Sequence, residues 1–183
     1  MKPRCAAAAA LLVCVLCAFA SASCGKPKGS GTAYSFETIV RCGSGEDWQR
    51  FARKGWARPD GAFAWTTRTT AKLKLSLPPV KGPVGLRMRL MGNLDPPDLP
   101  VQVVEVFANR EQVATWYVDA VDDFFAVVPP HLLRRDGKLY VELKIPRAQR
   151  LPTSPPDETR RFGVACYEFE VLKAGSIPQV AAR

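Results

Sequence analysis

Ala71-Lys72-Leu73-Lys74-Leu75-Ser76-Leu77, a break at Pro78-Pro79-Val80-Lys81-Gly82-Pro83, then Val84-Gly85-Leu86-Arg87-Met88-Arg89-Leu90 is the stretch that decides the fold. Side chains alternate between the two faces of a strand, so Ala71, Leu73, Leu75 and Leu77 share one face, and Val84, Leu86, Met88 and Leu90 share another. The spacing predicts an antiparallel hairpin about Val80 and Lys81, with Lys74 opposite Arg87 and Lys72 opposite Arg89. All of these cations would then point outward together. Like charges directly opposite destabilise a pair of strands, so the face is a docking surface for phosphorylated glycan or anionic head groups, part of a salt-bridge ladder with Glu168 and Glu170, or a face without a role that high-dielectric water tolerates.

The same period continues outward from this stretch. Val101 to Phe107 and Gln112 to Val118 flank Asn109-Arg110, where an asparagine suits the positive φ of a tight turn. Phe124 to Val128 is a short apolar run, Leu139, Val141, Leu143 and Ile145 define a further strand, and Phe162 to Leu172 closes the series. Helix signals are confined to Ser44–Phe51 and one turn at Pro129–Leu133, too short to cover a sheet. Strands without helices bury their apolar faces against each other. The expected fold class is therefore all-β: an antiparallel two-sheet β-sandwich, a jelly roll of about eight strands, over residues 34–173.

The 183 residues suffice for one domain, and the single histidine excludes zinc sites built on several imidazoles. No cofactor is expected. The N-terminal segment reads as an address: Lys2 and Arg4 precede an uncharged apolar run from Cys5 to Ala20, the layout of a signal peptide over residues 1–23. Two ends are open. Ala18-Phe19-Ala20 suits an ordinary signal peptidase, whereas Ser21-Ala22-Ser23-Cys24 is similar to a bacterial lipobox with Ser21 in place of the usual leucine. Removal of the segment leaves Cys24, Cys42 and Cys166, an odd set for an oxidising compartment. Lipidation of Cys24 explains the odd member and leaves Cys42 and Cys166 as a candidate disulfide, with two buried thiols as the alternative. Residues 24–33 read as a flexible tether and 174–183 as a disordered tail.

Gly55-Trp56, Trp65, Leu77-Pro78, the Asn109 turn leading to Trp116, Val128-Pro129 before Leu132, Gly137 before Leu139, and Ser154-Pro155 with Asp157-Glu158-Thr159-Arg160-Arg161-Phe162-Gly163 follow one another in a recognisable order. This order resembles the galactose-binding-like jelly-roll domain at the end of bacterial phosphoglycerol and sugar transferases of the cell envelope, over roughly Tyr34 to Lys173. The resemblance implies a β-sandwich in a glycan-associated setting with no catalytic residues of its own. Here the jelly roll follows a signal segment without the transferase and membrane domains.

Trp56 and Trp65 are candidates for stacking on sugar rings, although Trp48, Trp56, Trp65 and Trp116 all suit a core as well. Asp157 and Arg160 are expected to form a structural ion pair fastening the loop before the last strand. His131 lacks a nucleophile motif beside it, and Asp119, Asp122 and Asp123 lack the spacing of a calcium loop, so they read as a solvated loop or salt-bridge partners. Without Lys2 and Arg4, 24 basic residues face 17 acidic ones, which suits anionic lipid or phosphorylated glycan; nucleic acid is not an expected partner. These features together predict a lipid-anchored envelope protein of a bacterium, a non-catalytic binding or accessory module in contact with glycan. The alternatives are a structural lipoprotein that binds a protein partner and, behind it, a cryptic hydrolase.

Overall fold

The computed structural model describes residues 32–45 and 47–178; the signal segment, Cys24 and most of the tether lie outside the described residues. The chain folds as a two-sheet antiparallel β-sandwich of jelly-roll type, with strands β1 (Val40–Arg41), β2 (Ala64–Trp65), β3 (Thr70–Ser76), β4 (Val84–Gly92), β5 (Gln102–Ala108), β6 (Glu111–Val118), β7 (Asp122–Val128), β8 (Lys138–Lys144) and β9 (Val164–Lys173). The back sheet runs β1-β9-β4-β7, with β2 also on β9, and the front sheet runs β3-β8-β5-β6. Short 3₁₀ turns occupy Asp47–Arg50 and Pro130–Leu132, where the sequence placed its helix signals.

The alternation of the sequence is the burial pattern of the molecule. Leu73 and Leu75 of β3, Val104 and Val106 of β5, and Leu139, Val141 and Leu143 of β8 point from the front sheet into the core. Leu86, Met88 and Leu90 of β4 and Phe169 and Val171 of β9 meet them from the back sheet.

The expected hairpin does not form, and this reorganises the candidate site. Strands β3 and β4 do not pair. β3 pairs with β8, setting Lys72 opposite Glu142 and Lys74 opposite Tyr140, while β4 runs between β7 and β9 in the other sheet. The linker supplies the reason: Pro78, Pro79 and Pro83 have no N–H and fixed φ, so the chain leaves the front sheet instead of turning back beside itself. The apolar faces of β3 and β4 then look at each other across the core, which satisfies the same period-two pattern.

Both ends of the domain are longer than expected. Thr32 and Ala33 belong to it: Ala33 bridges Ser76, and the Ser76 N–H donates to Thr32 O at 2.7 Å. Within the described part of the tail, Ala174–Ser176 form a 3₁₀ turn, the Ser176 hydroxyl donates to Glu37 at 2.7 Å, and Ile177 lies over Gly85.

Candidate functional site

The predicted cationic face divides between the sheets. Arg87 and Arg89 point outward from β4 into carboxylates: Arg87 reaches Asp123 at 3.7 Å, Glu170 at 3.4 Å and, closer still, Glu168, while Arg89 reaches Asp123 at 3.6 Å. This is a salt-bridge ladder across β7, β4 and β9, so these two arginines are not a docking surface. Lys72 pairs with Glu142 at 2.9 Å on the front sheet. Lys74 lies over the Tyr140 ring, 5.6 Å from its centroid.

The tryptophans are held by the fold. The Trp56 indole N–H donates to Lys72 O at 3.0 Å and its ring meets Trp48 edge-on at 4.9 Å. Trp65 stands between Phe63 and Phe162, at 6.0 and 6.1 Å. Both are partly buried against these aromatic neighbours. Trp116 is buried and donates to Phe125 O at 2.8 Å. Arg160 pairs with Glu158, not with Asp157: Nε donates to Oε2 at 2.8 Å, and Arg160 holds the Glu158 carboxyl down at about 2. Two residues of separation in this loop set side chains within reach of each other, whereas Asp157 is exposed. Cys42 and Cys166 are buried, unbonded thiols.

What the tertiary structure does assemble is a groove of about 420 Å³ where the linker after β3 faces the segment before β8. Leu77, Pro78, Pro79 and Val80 form one side and Pro130 and Leu133 the other. Its rim is Arg134-Arg135-Asp136-Gly137-Lys138. Gly137 has φ 71°, and a Cβ there would lie 2.4 Å from Leu77 O, so only glycine lets the rim approach the floor. The Leu77 N–H donates back to Gly137 O at 2.8 Å.

Asp136 accepts from Lys138 Nζ at 2.9 Å and from Arg134 Nε at 3.1 Å. These hydrogen bonds, the lysine's first, hold its carboxyl far below the usual carboxylate range, and the carboxylate in turn pushes Arg134 and Lys138 up. Arg135 has no carboxylate within 4.0 Å among the described residues.

Lys138 joins the groove's rim to the outer face of the front sheet. Tyr140, two residues along β8 from Lys138, is 42% exposed. Beyond it Lys144 lies 4.1 Å over the Phe107 ring, and Tyr117, opposite Val103, is 63% exposed. Along this surface Lys72, Lys74, Arg134, Arg135, Lys138 and Lys144 outnumber Glu105, Asp136 and Glu142. A ring with one apolar face can lie on Tyr140 while an anionic substituent meets the cations beside it.

Tyr140 and Tyr117 are not among the candidates named from the sequence, although the alternation of their strands marks them. With Leu139 and Val141 directed inward, Tyr140 had to point out; with Trp116 and Val118 inward, so did Tyr117. The remaining candidates carry no chemistry together. His131 is exposed, its Nε2 3.4 Å from Glu111 Oε1. Among the described residues no group of three or more His, Cys, Asp or Glu side chains is placed to hold a metal ion.

No protein-family model matches this chain, and no curated protein matches it. Among solved structures it is similar to the CBM36-1 domain of a multidomain xylanase from the hindgut metagenome of Trinervitermes trinervoides, with TM-score 0.44, 15% identity, and coverage of 75% of this chain and 98% of that one. It is also similar to CsCBM6-3 from Clostridium stercorarium in complex with cellobiose, with TM-score 0.44, 11% identity and coverage of 78% and 98%. A family 35 carbohydrate-binding module from an environmental isolate gives TM-score 0.41, 13% identity and coverage of 85% and 96%.

Proposed function

We propose that the protein is an exported, non-catalytic binding module that holds an anionic glycan in the groove and along Tyr140, tethered to a bacterial envelope membrane through lipidated Cys24. The observation that carries the reading is the groove itself: an apolar floor of prolines and Leu133 and a rim of Arg134, Arg135 and Lys138 against the single carboxylate Asp136, with an exposed tyrosine two residues along β8 from Lys138. The proline floor offers a surface to a pyranose ring, Arg135 is free to bind a carboxylate or phosphate in a bidentate way, and Tyr140 supplies a stacking face. Nothing in this arrangement activates a nucleophile, so the reading is of recognition.

Calorimetric titration of the exported chain with an acidic oligosaccharide and with its carboxyl-reduced counterpart tests this. The acidic ligand should bind, more weakly as salt rises, and Arg135→Ser or Tyr140→Ala should each weaken it roughly tenfold. Equal affinity for the neutral ligand, or no effect of either substitution, sinks the groove reading. A pull-down that returns one protein partner while every glycan fails favours the structural lipoprotein instead. Cys24→Ser should release the protein to the soluble fraction, and retention on membranes refutes the anchor.

A further inference from the structure

The core holds a pair of groups that the groove does not use. Cys42 follows β1, and its main-chain N–H donates to Tyr167 O at 2.8 Å. Cys166 is the neighbouring residue of β9 and pairs with Leu90 of β4. Strict alternation back from the buried Phe169 and Val171 would send residue 167 inward and Cys166 out to the face of Glu168 and Glu170. The pairing breaks that alternation: Arg89 faces Glu168 but Leu90 faces Cys166, so Tyr167 is the extra residue of a bulge. The bulge turns Cys166 into the core. There both thiols are 0% exposed and belong to one buried cluster, with the Cys166 thiol 3.6 Å from Glu168 O.

We propose that Cys42 and Cys166 are the two halves of a structural disulfide that fastens the segment around β1 to β9, formed by exchange with a disulfide oxidant, a protein or glutathione, as the chain folds. One cysteine thiolate attacks the oxidant's disulfide, forming a mixed disulfide and releasing one oxidant thiolate. The second cysteine thiolate then displaces the oxidant's remaining sulfur. Two electrons pass to the oxidant, and the two cysteine protons end on its thiols. Burial pushes the Cys42 thiol well above its ordinary pKa, and the thiolate is the attacking species, so the exchange belongs to the stage before β1 covers Cys166. The same burial shields the finished bond from reductants. The oxidising setting rests on the export proposed above; the pairing itself does not.

The test is to refold the reduced full chain with oxidised and reduced glutathione, alkylate it in denaturant and map the peptides. Cys42 and Cys166 should be found linked, reduction should lower Tm on the order of 10 °C, and Cys42→Ala/Cys166→Ala should show no reductant-dependent shift. Recovery of both as alkylated thiols overturns the proposal. If refolding fails, the same mapping on protein recovered from an oxidising compartment decides it on the same two outcomes. A bond made in vitro beside free thiols in the native host refutes the export reading and leaves the pairing standing.

Discussion

Asn109 clasps Tyr140 through both main-chain and side-chain groups. The Asn109 N–H donates to Tyr140 O at 2.8 Å, and the Tyr140 N–H donates to Asn109 Oδ1 at 3.0 Å. Asn109 Nδ2 donates on to Leu132 O at 2.6 Å. The tip of the β5–β6 hairpin, with φ 48° at Asn109 and 81° at Arg110, is thereby tied to the strand that carries the exposed tyrosine and to the turn beside the groove. Position and conformation have one cause: asparagine tolerates the left-handed region and carries the amide that the neighbouring strand needs.

Asn109→Gly keeps the backbone and removes the amide; Asn109→Ala removes both. We expect losses of about 1–2 kcal/mol for the glycine variant and about 1–2 kcal/mol more for alanine, read from urea midpoints. Both variants should also weaken acidic-glycan binding, because Tyr140 and Leu132 lose a shared anchor. A glycine variant as stable as the wild type would show that the amide contributes nothing.

Arg87 and Lys72 form ion pairs of unequal weight. The Arg87 side chain is only 18% exposed and is surrounded by Asp123, Glu168 and Glu170, so Arg87→Met leaves three half-buried carboxylates facing one another and should cost about 3 kcal/mol. Lys72 is half-exposed, and Lys72→Ser should cost under ~1 kcal/mol. Thermal or urea unfolding of the two variants side by side checks the ranking.

Gly55 and Gly45 both have positive φ, 95° and 79°. A Cβ at Gly55 would lie 2.1 Å from Thr70 O, whereas at Gly45 nothing lies within 4 Å. Gly45→Ala should cost about 1–2 kcal/mol from conformation alone; Gly55→Ala should cost clearly more and disturb the Trp56 N–H bond to Lys72, visible as a change in tryptophan fluorescence.

Tyr34 is buried, donates to Thr38 O at 2.6 Å and accepts from the Val171 N–H at 2.7 Å. Burial raises its phenol from 10.0 to about 12. A raised folded-state pKa contributes stability that is fully present below the unfolded value and lost as pH rises through the folded one, so stability should fall between pH 10 and 12, by on the order of 2 kcal/mol. Tyr34→Phe should flatten that part of the pH profile. An unchanged alkaline slope in this variant would exclude Tyr34 as its source.

The sequence by itself determined which face of a regularly paired strand is buried, because alternation is a local property: without a bulge, a residue's side depends only on its place along its own strand. The strands from Thr70 to Lys173, the positive φ at Asn109 and the inward course of Trp116 were legible for that reason. Which strand lies beside which was decided only by the tertiary structure. The pattern of β3 and β4 is met equally by two neighbours in one sheet and by two strands facing each other across a core, and a prolyl linker with long-range pairing to β8 and β9 selects the second. That selection carries Arg87 and Arg89 into a ladder and leaves Lys74 beside Tyr140. The bulge at Tyr167 adds one residue to the count, and one residue exchanges the faces of a strand. Cys166 therefore lies in the core beside Cys42, a consequence of how β9 pairs with β4 and not of any residue next to it in the chain.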